Sequence, residues 1–411
     1  MKILLLGHGI ANDGCKSLLE KNEIKFDYLN LDELNDLKYD YVIKSPGICL
    51  DEIKDKNIEG KIISDLELFN MFCRGFVIVV TGSNGKTSVV TMLGKILETK
   101  YKVCVCGNIG YSCCQALVDN PLSDIYIIEA SSFMLETSGA LDVNIGVILN
   151  ISSCHLDHHK NINNYVTSKL NLGVKQSPSH YLVYNIDNSY LKNIERYVCS
   201  ILVPFGISST INRVYLLGNN IYFKTKKIYH ISKDEINYKH IIENKIAVLS
   251  VISLMNFNLK KAAKILKRFE PVKFRLNKID NQIYNDAKST NCASTDCAIK
   301  SIGKCILICG GYERNISINL SDEALNNIVM VMAYGESKYN LEKYFSSKKI
   351  NIFVFNSLKE ALENAYKAKN KNVSILYSPM YASFDQYNSY NERGEEFNRL
   401  YKIIKNGSYE I

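Results

Sequence analysis

The chain has 411 residues, of which 46% are hydrophobic, 22% are charged and only 6 are proline. This composition is typical of globular proteins and excludes a mainly disordered chain, and the length predicts two or three domains at roughly 150 residues each. The formal net charge of +8 is spread along the sequence, so it gives no specific indication of nucleic-acid binding.

Neither a membrane span nor a signal peptide is predicted. The longest apolar runs, such as residues 76–80, are far shorter than the roughly 20 residues that cross a bilayer. The apolar run at the N-terminus stops at Gly7, which is too short for a signal peptide. We therefore expect a cytoplasmic protein without membrane insertion. The 13 cysteines are scattered and odd in number, which favours reduced thiols that pack as small hydrophobic residues.

The first region begins with a short aliphatic strand, the glycine-rich segment GHGIANDG and an amphipathic stretch at residues 15–21. This order is typical of a nucleotide-binding unit. The glycine spacing differs from G-x-G-x-x-G, so a tight turn without a ligand is the alternative. Further strands at residues 26–29 and 40–43, the second followed by Ser-Pro-Gly, continue an alternation that predicts a parallel sheet. A boundary is predicted near residue 74.

The second region opens with a buried-type strand, residues 76–80, that leads directly into TGSNGKTS at residues 81–88. A strand, a glycine-rich turn and GK[ST] at a helix start predict a phosphate-binding loop for ATP or GTP. Lys86 would neutralise phosphate charge and Thr87 would offer a hydroxyl to magnesium. Val80 stands where the standard G-x-x-x-x-G-K-[ST] pattern has glycine, so the loop is a variant. The predicted nucleotide-binding residues here are Gly82, Ser83, Asn84, Gly85, Lys86, Thr87 and Ser88.

Polar residues follow the next strands of this region. Glu129 ends the strand IYIIE, where its carboxylate would reach magnesium or would simply cap the strand. The strand IGVIL leads to the segment HLDHH, in which His155 is the preferred metal ligand and a zinc pair with His159 is the alternative. Lys169 lies on the following helix and, considered alone, is typical of a solvated surface lysine.

The remaining chain alternates strands and helices. Tyrosine-containing strands at residues 214–217 and 221–224 predict an antiparallel pair, and helices at 244–255 and 259–269 lead to a boundary near residue 271. Beyond it, four strands alternate with helical stretches and predict another α/β unit. These strands are predicted at residues 305–309, 328–333, 352–355 and 373–377.

Two polar segments of the third region follow predicted strands. NDAKSTN, residues 285–291, either contacts the ribose and phosphates of a nucleotide or forms a self-contained polar loop. SPMYASFD, residues 378–385, follows the strand ILY, and the last helix is predicted to open at Arg393. Polar residues at the carboxyl end of a strand predict a small-molecule pocket.

Together these segments resemble the Mur ligase family, most closely its branch that adds D-glutamate, over nearly the whole chain. The segments that carry the resemblance are TGSNGKTS, GNIG (107–110), EASSFMLE (129–136), HLDHH with Lys169, NDAKSTN and SPMYASFDQYNSYNERGEEF (378–397).

The resemblance implies an α/β chain of three domains. They are a Rossmann-like UDP-sugar-binding domain (1–74), a P-loop ATPase-type domain (75–270) and a Rossmann-like amino-acid-binding domain (271–411). It implies a cytoplasmic, monomeric ligase of peptidoglycan precursor synthesis that uses ATP and Mg²⁺. The carboxylate of UDP-N-acetylmuramoyl-L-alanine would attack ATP to give an acyl phosphate, which the amine of D-glutamate then attacks.

The resemblance also assigns residues. Lys86, His155, Lys169 and Lys288 would be catalytic, with Lys169 carbamylated. The metal ligands would be Thr87, Glu129, His155 and Lys169. Asn244, Arg275 and Asp286 would contact the nucleotide. The substrate contacts would be Asn108, Ser131, Thr290, Arg314, Ser383, Phe384 and Tyr390.

Four positions depart from the family pattern, which has Gln at Met134, Asn at Ile241, His at Phe274 and Lys at Arg314. An arginine at the last position still pairs with a carboxylate. Two alternative functions stay open at this point. One is a sibling ligase for another amino acid, such as a folate-polyglutamate ligase, and the other is a nucleotide-dependent binding or regulatory protein.

Overall fold

The computed structural model describes residues 2–34, 38–54, 59–152, 155–208, 213–232, 235, 239–269, 273–312 and 318–407. The chain divides into two compact units, residues 1–269 and 270–411. Among the described residues, no helix combines the length and the apolar character that crossing a bilayer requires.

The first unit begins with a four-stranded parallel sheet. Its strands are β1 (Ile3–Leu6), β2 (Phe26–Leu29), β3 (Lys38–Lys44) and β4 (Glu59–Ile63), in the order β2-β1-β3-β4. Its helices are α1 (Ile10–Lys21), α2 (Leu50–Lys54) and α3 (Asp65–Phe72). The chain extends the sheet to one side of β1 and then to the other, so the β1–β3 junction is the switch point where α/β sheets bind ligands.

The same unit contains a six-stranded parallel sheet with the order β10-β9-β8-β5-β7-β6. Its strands are β5 (Phe76–Thr81), β6 (Val103–Gly107), β7 (Ile125–Glu129), β8 (Ile145–Ile148), β9 (Tyr181–Asn185) and β10 (Ile201–Phe205). Its helices are α4 (Lys86–Leu97), α5 (Cys113–Asp119), α6 (Ser132–Leu135), α7 (Leu156–His159) and α8 (Ile162–Val174). β5 pairs with β7 and β8, which places the loop after β5 among neighbouring strand ends.

A three-stranded antiparallel sheet completes the first unit. The tyrosine-containing segments predicted the antiparallel pair β11–β12, and the structure adds β13 to it. Its strands are β11 (Val214–Leu217), β12 (Asn220–Phe223) and β13 (Lys226–His230). The helices α9 (Lys239–Leu254) and α10 (Leu259–Lys267) follow. Short 3₁₀ helices lie at Leu31–Glu33, Ser189–Leu191 and Ile194–Arg196.

The second unit has one six-stranded sheet in the order β14-β15-β19-β16-β17-β18. Its strands are β14 (Asn277–Asp280), β15 (Ile283–Asn285), β16 (Cys305–Gly310), β17 (Ile328–Tyr334), β18 (Ile352–Val354) and β19 (Ser374–Tyr377). Its helices are α11 (Cys292–Ile302), α12 (Asp322–Asn327), α13 (Lys338–Ser347), α14 (Leu358–Ala368) and α15 (Tyr390–Gly407). Only β14 is antiparallel to its neighbour, and the switch point lies between β16 and β19.

The first two sheets share one apolar core. Cys15 of α1 and Phe69 of α3 belong to the same buried cluster as Cys114 and Leu117 of α5. The cysteines in the described part of the chain are free thiols. Several are buried in this core and pack there as small hydrophobic residues, as predicted.

Asp65, the first residue of α3, is a carboxyl group inside this shared core. It is 2% exposed, its Oδ2 lies 3.5 Å from Cys113 Sγ, and burial raises its pKa from 3.8 to about 6. Folding therefore disfavours the ionised form, so stability is retained below pH 4 and is lost as the pH rises through 6. We expect Asp65→Asn to match the wild type near pH 4 and to exceed its free energy of unfolding by about 2 to 3 kcal/mol at pH 7.5.

Urea unfolding of both proteins across this pH range measures the difference. A difference that stays constant between pH 4 and pH 7.5 would show that Asp65 does not titrate in this way.

Candidate active site

The loop between β5 and α4 has the backbone of a phosphate-binding turn. Gly82 and Gly85 both have positive φ angles, +156° and +87°. A Cβ atom at Gly85 would lie 2.4 Å from Asn244 Oδ1, so that position needs glycine for space as well as for conformation. The turn leads directly into the start of α4, and the N-terminus of a helix favours an anion. It also brings Asn244, a predicted nucleotide contact, next to the loop.

Asn150, which had no predicted role, holds this loop in shape. Its Oδ1 accepts a hydrogen bond from the Asn84 N–H at 2.9 Å, and its Nδ2 donates to the Asn84 carbonyl at 3.0 Å. The Ser83 N–H donates to the Asn150 carbonyl at 2.8 Å. The sequence signal was present, because Asn150 is a polar residue at the carboxyl end of the neighbouring strand.

Lys86 is the first residue of α4, and its side chain folds back over the loop. Its Nζ donates to the carbonyls of Gly82 and Ser83 at 2.7 and 3.1 Å. Thr87 and Ser88 are half-buried on the first turn of α4. The Lys86 ammonium therefore lies over the turn, and the Thr87 and Ser88 hydroxyls belong to the first turn of the helix that follows it.

Glu129 ends β7 beside the GNIG segment. Its Oε1 accepts a hydrogen bond from Asn108 Nδ2 at 3.2 Å, and its carbonyl accepts from the Asn108 N–H at 2.8 Å. Glu129 is 3% exposed, and its buried Oε2 has no hydrogen-bond partner within the described ranges. Ser131 immediately precedes α6 and caps it, because its hydroxyl accepts a hydrogen bond from the Met134 N–H at 3.2 Å. A buried carboxylate oxygen without a partner fits a metal ligand.

Lys169 is buried, with 1% of its surface exposed, so the interpretation as a surface lysine is wrong. Its Nζ lies 3.3 Å from both Thr81 Oγ1 and the Gly82 carbonyl. The same Nζ lies 4.7 Å from the ring centroid of Tyr165, whose hydroxyl is 2.9 Å from Ser83 Oγ. Helix α8 thus brings a lysine to the base of the phosphate loop, which the pattern of the helix alone did not indicate.

The histidines of the HLDHH segment, residues 155–159, differ in burial and in their contacts. His155 is exposed, has a φ of +54°, and lies 5.0 Å from the Phe133 ring. His159 is buried, with Nε2 3.0 Å from Ser132 Oγ, and burial lowers its pKa to about 4. Within the described ranges, the group with metal-binding spacing is Glu136, His158 and His159, with ligand atoms within 4.8 Å of one another. His159 thus belongs to that group, while the alternative of a zinc pair with His155 stays a prediction.

In the second unit, Asp286 follows β15 at the carboxyl edge of the sheet. It is 2% exposed, and burial raises its pKa to about 6, an effect that the nearby Arg275 partly offsets. Its Oδ1 accepts from the Leu276 N–H at 2.9 Å and its Oδ2 accepts from Ser378 Oγ at 2.8 Å. The Lys288 Nζ lies 5.5 Å from the ring centroid of Tyr390.

Arg393 joins the two polar segments of this unit, a role that was not predicted. It is fully buried and donates to the carbonyls of Ala287, Tyr381 and Ala382 at 3.1, 2.9 and 3.0 Å. The segments at residues 285–291 and 378–384 are therefore held together. They carry Thr290, Ser383, which is buried, and Phe384, which is 62% exposed. Arg314 lies outside the described residues.

Two of the departures from the family pattern are core residues. Met134 is 4% exposed in the shared core of the first unit. Phe274 is 5% exposed and packs over the last helix, where a Cβ at Gly394 would come 2.4 Å from its ring. Both positions therefore contribute apolar packing in this chain. Ile241 is half-buried on α9.

Residues 80–258 match the Mur ligase middle domain. Two bacterial proteins named UDP-N-acetylmuramoylalanine–D-glutamate ligase are similar over most of their length. The one from Pediococcus pentosaceus is 32% identical over 399 residues, covering 93% of this chain and 88% of the relative. The one from Shouchella clausii is 30% identical over 366 residues, covering 87% and 81%.

Solved structures show the same fold at low identity. A pseudomurein peptide ligase type C from Methanothermus fervidus has a TM-score of 0.59 at 16% identity, covering 98% of this chain and 99% of that one. The MurF ligase from Thermotoga maritima in complex with ADP has a TM-score of 0.59 at 16% identity, covering 91% and 97%. The predicted α/β class is confirmed. The chain belongs to the Mur ligase family, in the branch of the UDP-N-acetylmuramoylalanine–D-glutamate ligases.

Proposed function

We propose that this chain is an ATP-dependent ligase that joins D-glutamate to UDP-N-acetylmuramoyl-L-alanine in peptidoglycan precursor synthesis. The relatives of that name support the substrates. One arrangement carries the proposal. The phosphate loop follows β5, the buried Glu129 ends the neighbouring strand β7, and the buried Lys169 contacts the start of the loop. We further propose that it acts in the cytoplasm as a monomer, with three domains at residues 1–74, 75–270 and 271–411.

The nucleotide site is formed by residues 82–88 and Asn244 in the first unit. Phosphate oxygens would accept hydrogen bonds from the loop N–H groups at the start of α4. Lys86, which now donates to the loop carbonyls, would turn its ammonium to the β- and γ-phosphates. We assign Arg275 and Asp286 of the second unit to the same nucleotide.

Magnesium fits the residues at this edge. Glu129 Oε2 is a buried oxygen without a hydrogen-bond partner in the described part of the chain, and oxygen is the ligand that magnesium prefers. Thr87 supplies a hydroxyl, and Lys169 would supply a further oxygen as a carbamate. We assign His155 to a second metal. When bound, magnesium neutralises the charge that develops on the transferring phosphoryl group.

The chemistry needs charge neutralisation and positioning rather than a protein nucleophile. A carboxylate oxygen of the sugar substrate attacks the γ-phosphorus of ATP, and the bond to the ADP oxygen breaks. The amine of D-glutamate then attacks the acyl carbon, loses a proton and expels phosphate. Asn108 and Ser131 would face the muramoyl substrate. The residues assigned around D-glutamate and its junction with ATP are Lys288, Thr290, Arg314, Ser383, Phe384 and Tyr390.

A phosphate-release assay with a panel of amino acids tests this function. Purified protein is given ATP, magnesium, UDP-N-acetylmuramoyl-L-alanine and one amino acid at a time. We expect release with D-glutamate and none above background with L-glutamate, L-alanine, L-lysine or meso-diaminopimelate. Release with another amino acid would point to a sibling ligase, and nucleotide binding without release would point to a regulatory protein.

A further inference from the structure

The switch point of the first sheet is formed by two turns. One follows β1 at Gly7, and the other, residues 45–48, follows β3. The Ser45 N–H donates to the Leu6 carbonyl at 2.9 Å, and a Cβ at Gly7 would lie 2.5 Å from Ile48 Cδ1. Ligands of α/β sheets bind in the crevice at such a point. Under the proposed function, which the following inference assumes, this crevice holds the UDP-sugar.

Lys44 is the last residue of β3 and lies directly behind this turn. Its side chain is fully buried. Its Nζ donates hydrogen bonds to the carbonyls of Ile48 at 2.8 Å and Ser45 at 3.3 Å. These two bonds hold the turn from its buried side. The same Nζ lies 3.6 Å from Oε2 of Glu136. Glu136 follows α6, one of the helices that accompany the six-stranded sheet.

Glu136 in turn contacts the segment that carries His155. Its Oε2 lies 3.1 Å from His158 Nε2, and its Oε1 lies 3.7 Å from His159 Nδ1. The chain following Lys44 makes two more contacts with that segment. Cys49 Sγ lies 3.1 Å from His158 Nδ1, and Asp51 pairs with Lys160.

We propose that Lys44 is a positioning residue that couples sugar-nucleotide binding at residues 45–48 to the placement of residues 155–160. A buried ammonium is costly unless it is paired and hydrogen-bonded, so its oxygen partners are held in one arrangement. Those partners come from the turn at the crevice and from the carboxylate that contacts His158. A ligand that shifts the turn therefore shifts Glu136 and the histidine segment with it.

Kinetics of Lys44→Met test the coupling. A small misplacement of reacting groups costs roughly ten- to a hundred-fold in rate. We expect kcat to fall about ten-fold and KM for the UDP-sugar to rise about ten-fold, with KM for D-glutamate within about two-fold of the wild type. The control is Lys16→Met, which removes an exposed lysine of α1 whose Nζ lies 3.9 Å from the exposed Glu20 Oε1. It should leave all constants near wild type.

Hydrogen exchange gives a readout that a purely structural role would not move. In the wild type, UDP-N-acetylmuramoyl-L-alanine should slow amide exchange in both residues 45–48 and residues 155–160. In Lys44→Met only the first segment should respond. The double variant Lys44→Met with Glu136→Gln leaves no unpaired buried charge, so it should recover stability while the second segment stays unresponsive.

Wild-type kinetics in Lys44→Met, or an unchanged exchange response at residues 155–160 in either variant, would overturn the coupling. The proposed function fails separately, through an inactive wild-type protein. The exchange experiment still tests the coupling in that case, because it needs only binding of the UDP-sugar.

Discussion

Lys86→Met is expected to lower kcat for phosphate release by roughly a thousand-fold. The ammonium lies over the turn that would hold the phosphates, 2.7 Å from the Gly82 carbonyl, and methionine keeps the length of the side chain without its charge. Loss of a charge aimed at the transferring phosphoryl group acts on the transition state. Steady-state assays with saturating substrates measure the effect.

The matched control is Lys95→Met on the same helix, since Lys95 is exposed and lies 5.2 Å from the Phe269 ring centroid. That variant should keep its rate within about two-fold of the wild type, as expected of a surface change. If Lys86→Met retained a tenth or more of the wild-type kcat, the phosphate-loop assignment would be wrong.

Lys169→Met should lower kcat by roughly a hundred-fold or more, because it removes the proposed carbamate oxygen near the phosphate loop. The carbamate forms when the neutral amine takes up CO₂ and releases a proton. Wild-type protein in ¹³C-bicarbonate should therefore show a carbamate carbon signal in NMR spectra. Lys169→Met should lack it.

Lys175→Met is the control, since Lys175 is exposed at the end of the same helix. It should keep both the signal and the rate. A wild-type enzyme that shows no carbamate signal, and whose activity survives removal of CO₂, would contradict the assigned role of Lys169 and leave it a buried structural lysine.

The phosphate loop could be predicted because its signal is contiguous. Glycines that permit positive φ, the lysine and the following hydroxyl all lie within residues 82–88, directly after a buried-type strand. The alternation of strands and helices was likewise local, and it predicted the parallel sheet of the first region and the α/β unit of the third. The tyrosine-containing segments predicted the antiparallel pairing of β11 with β12.

Residues whose roles depend on distant partners were missed. Asn150 acts on a loop 66 positions earlier, and Arg393 acts on Ala287, 106 positions earlier. The burial of Lys169 depends on how α8 packs against the loop after β5, which the sequence of the helix alone does not reveal. Family resemblance assigned Lys169 a role, but the contacts at Thr81 and Gly82 came only from the structure.

The predicted start of the last helix was wrong although its signal is local. The helix was predicted to open at Arg393, but α15 begins at Tyr390, because the Ser389 hydroxyl accepts from the Glu392 N–H at 3.2 Å. Ser followed three residues later by Glu is a helix-start signal that precedes the charged stretch. Arg393 therefore lies within the first turn of the helix, and its side chain reaches back to the neighbouring loops.

Oxygen transfer tests the central claim of an acyl-phosphate ligase most directly. UDP-N-acetylmuramoyl-L-alanine with both carboxylate oxygens labelled as ¹⁸O is incubated with the enzyme, ATP, magnesium and D-glutamate. Mass spectrometry then measures the masses of the released phosphate and of the D-glutamyl product. One ¹⁸O should remain in the new amide and one should appear in each released phosphate. Unlabelled phosphate, or the absence of the D-glutamyl product, would contradict the account.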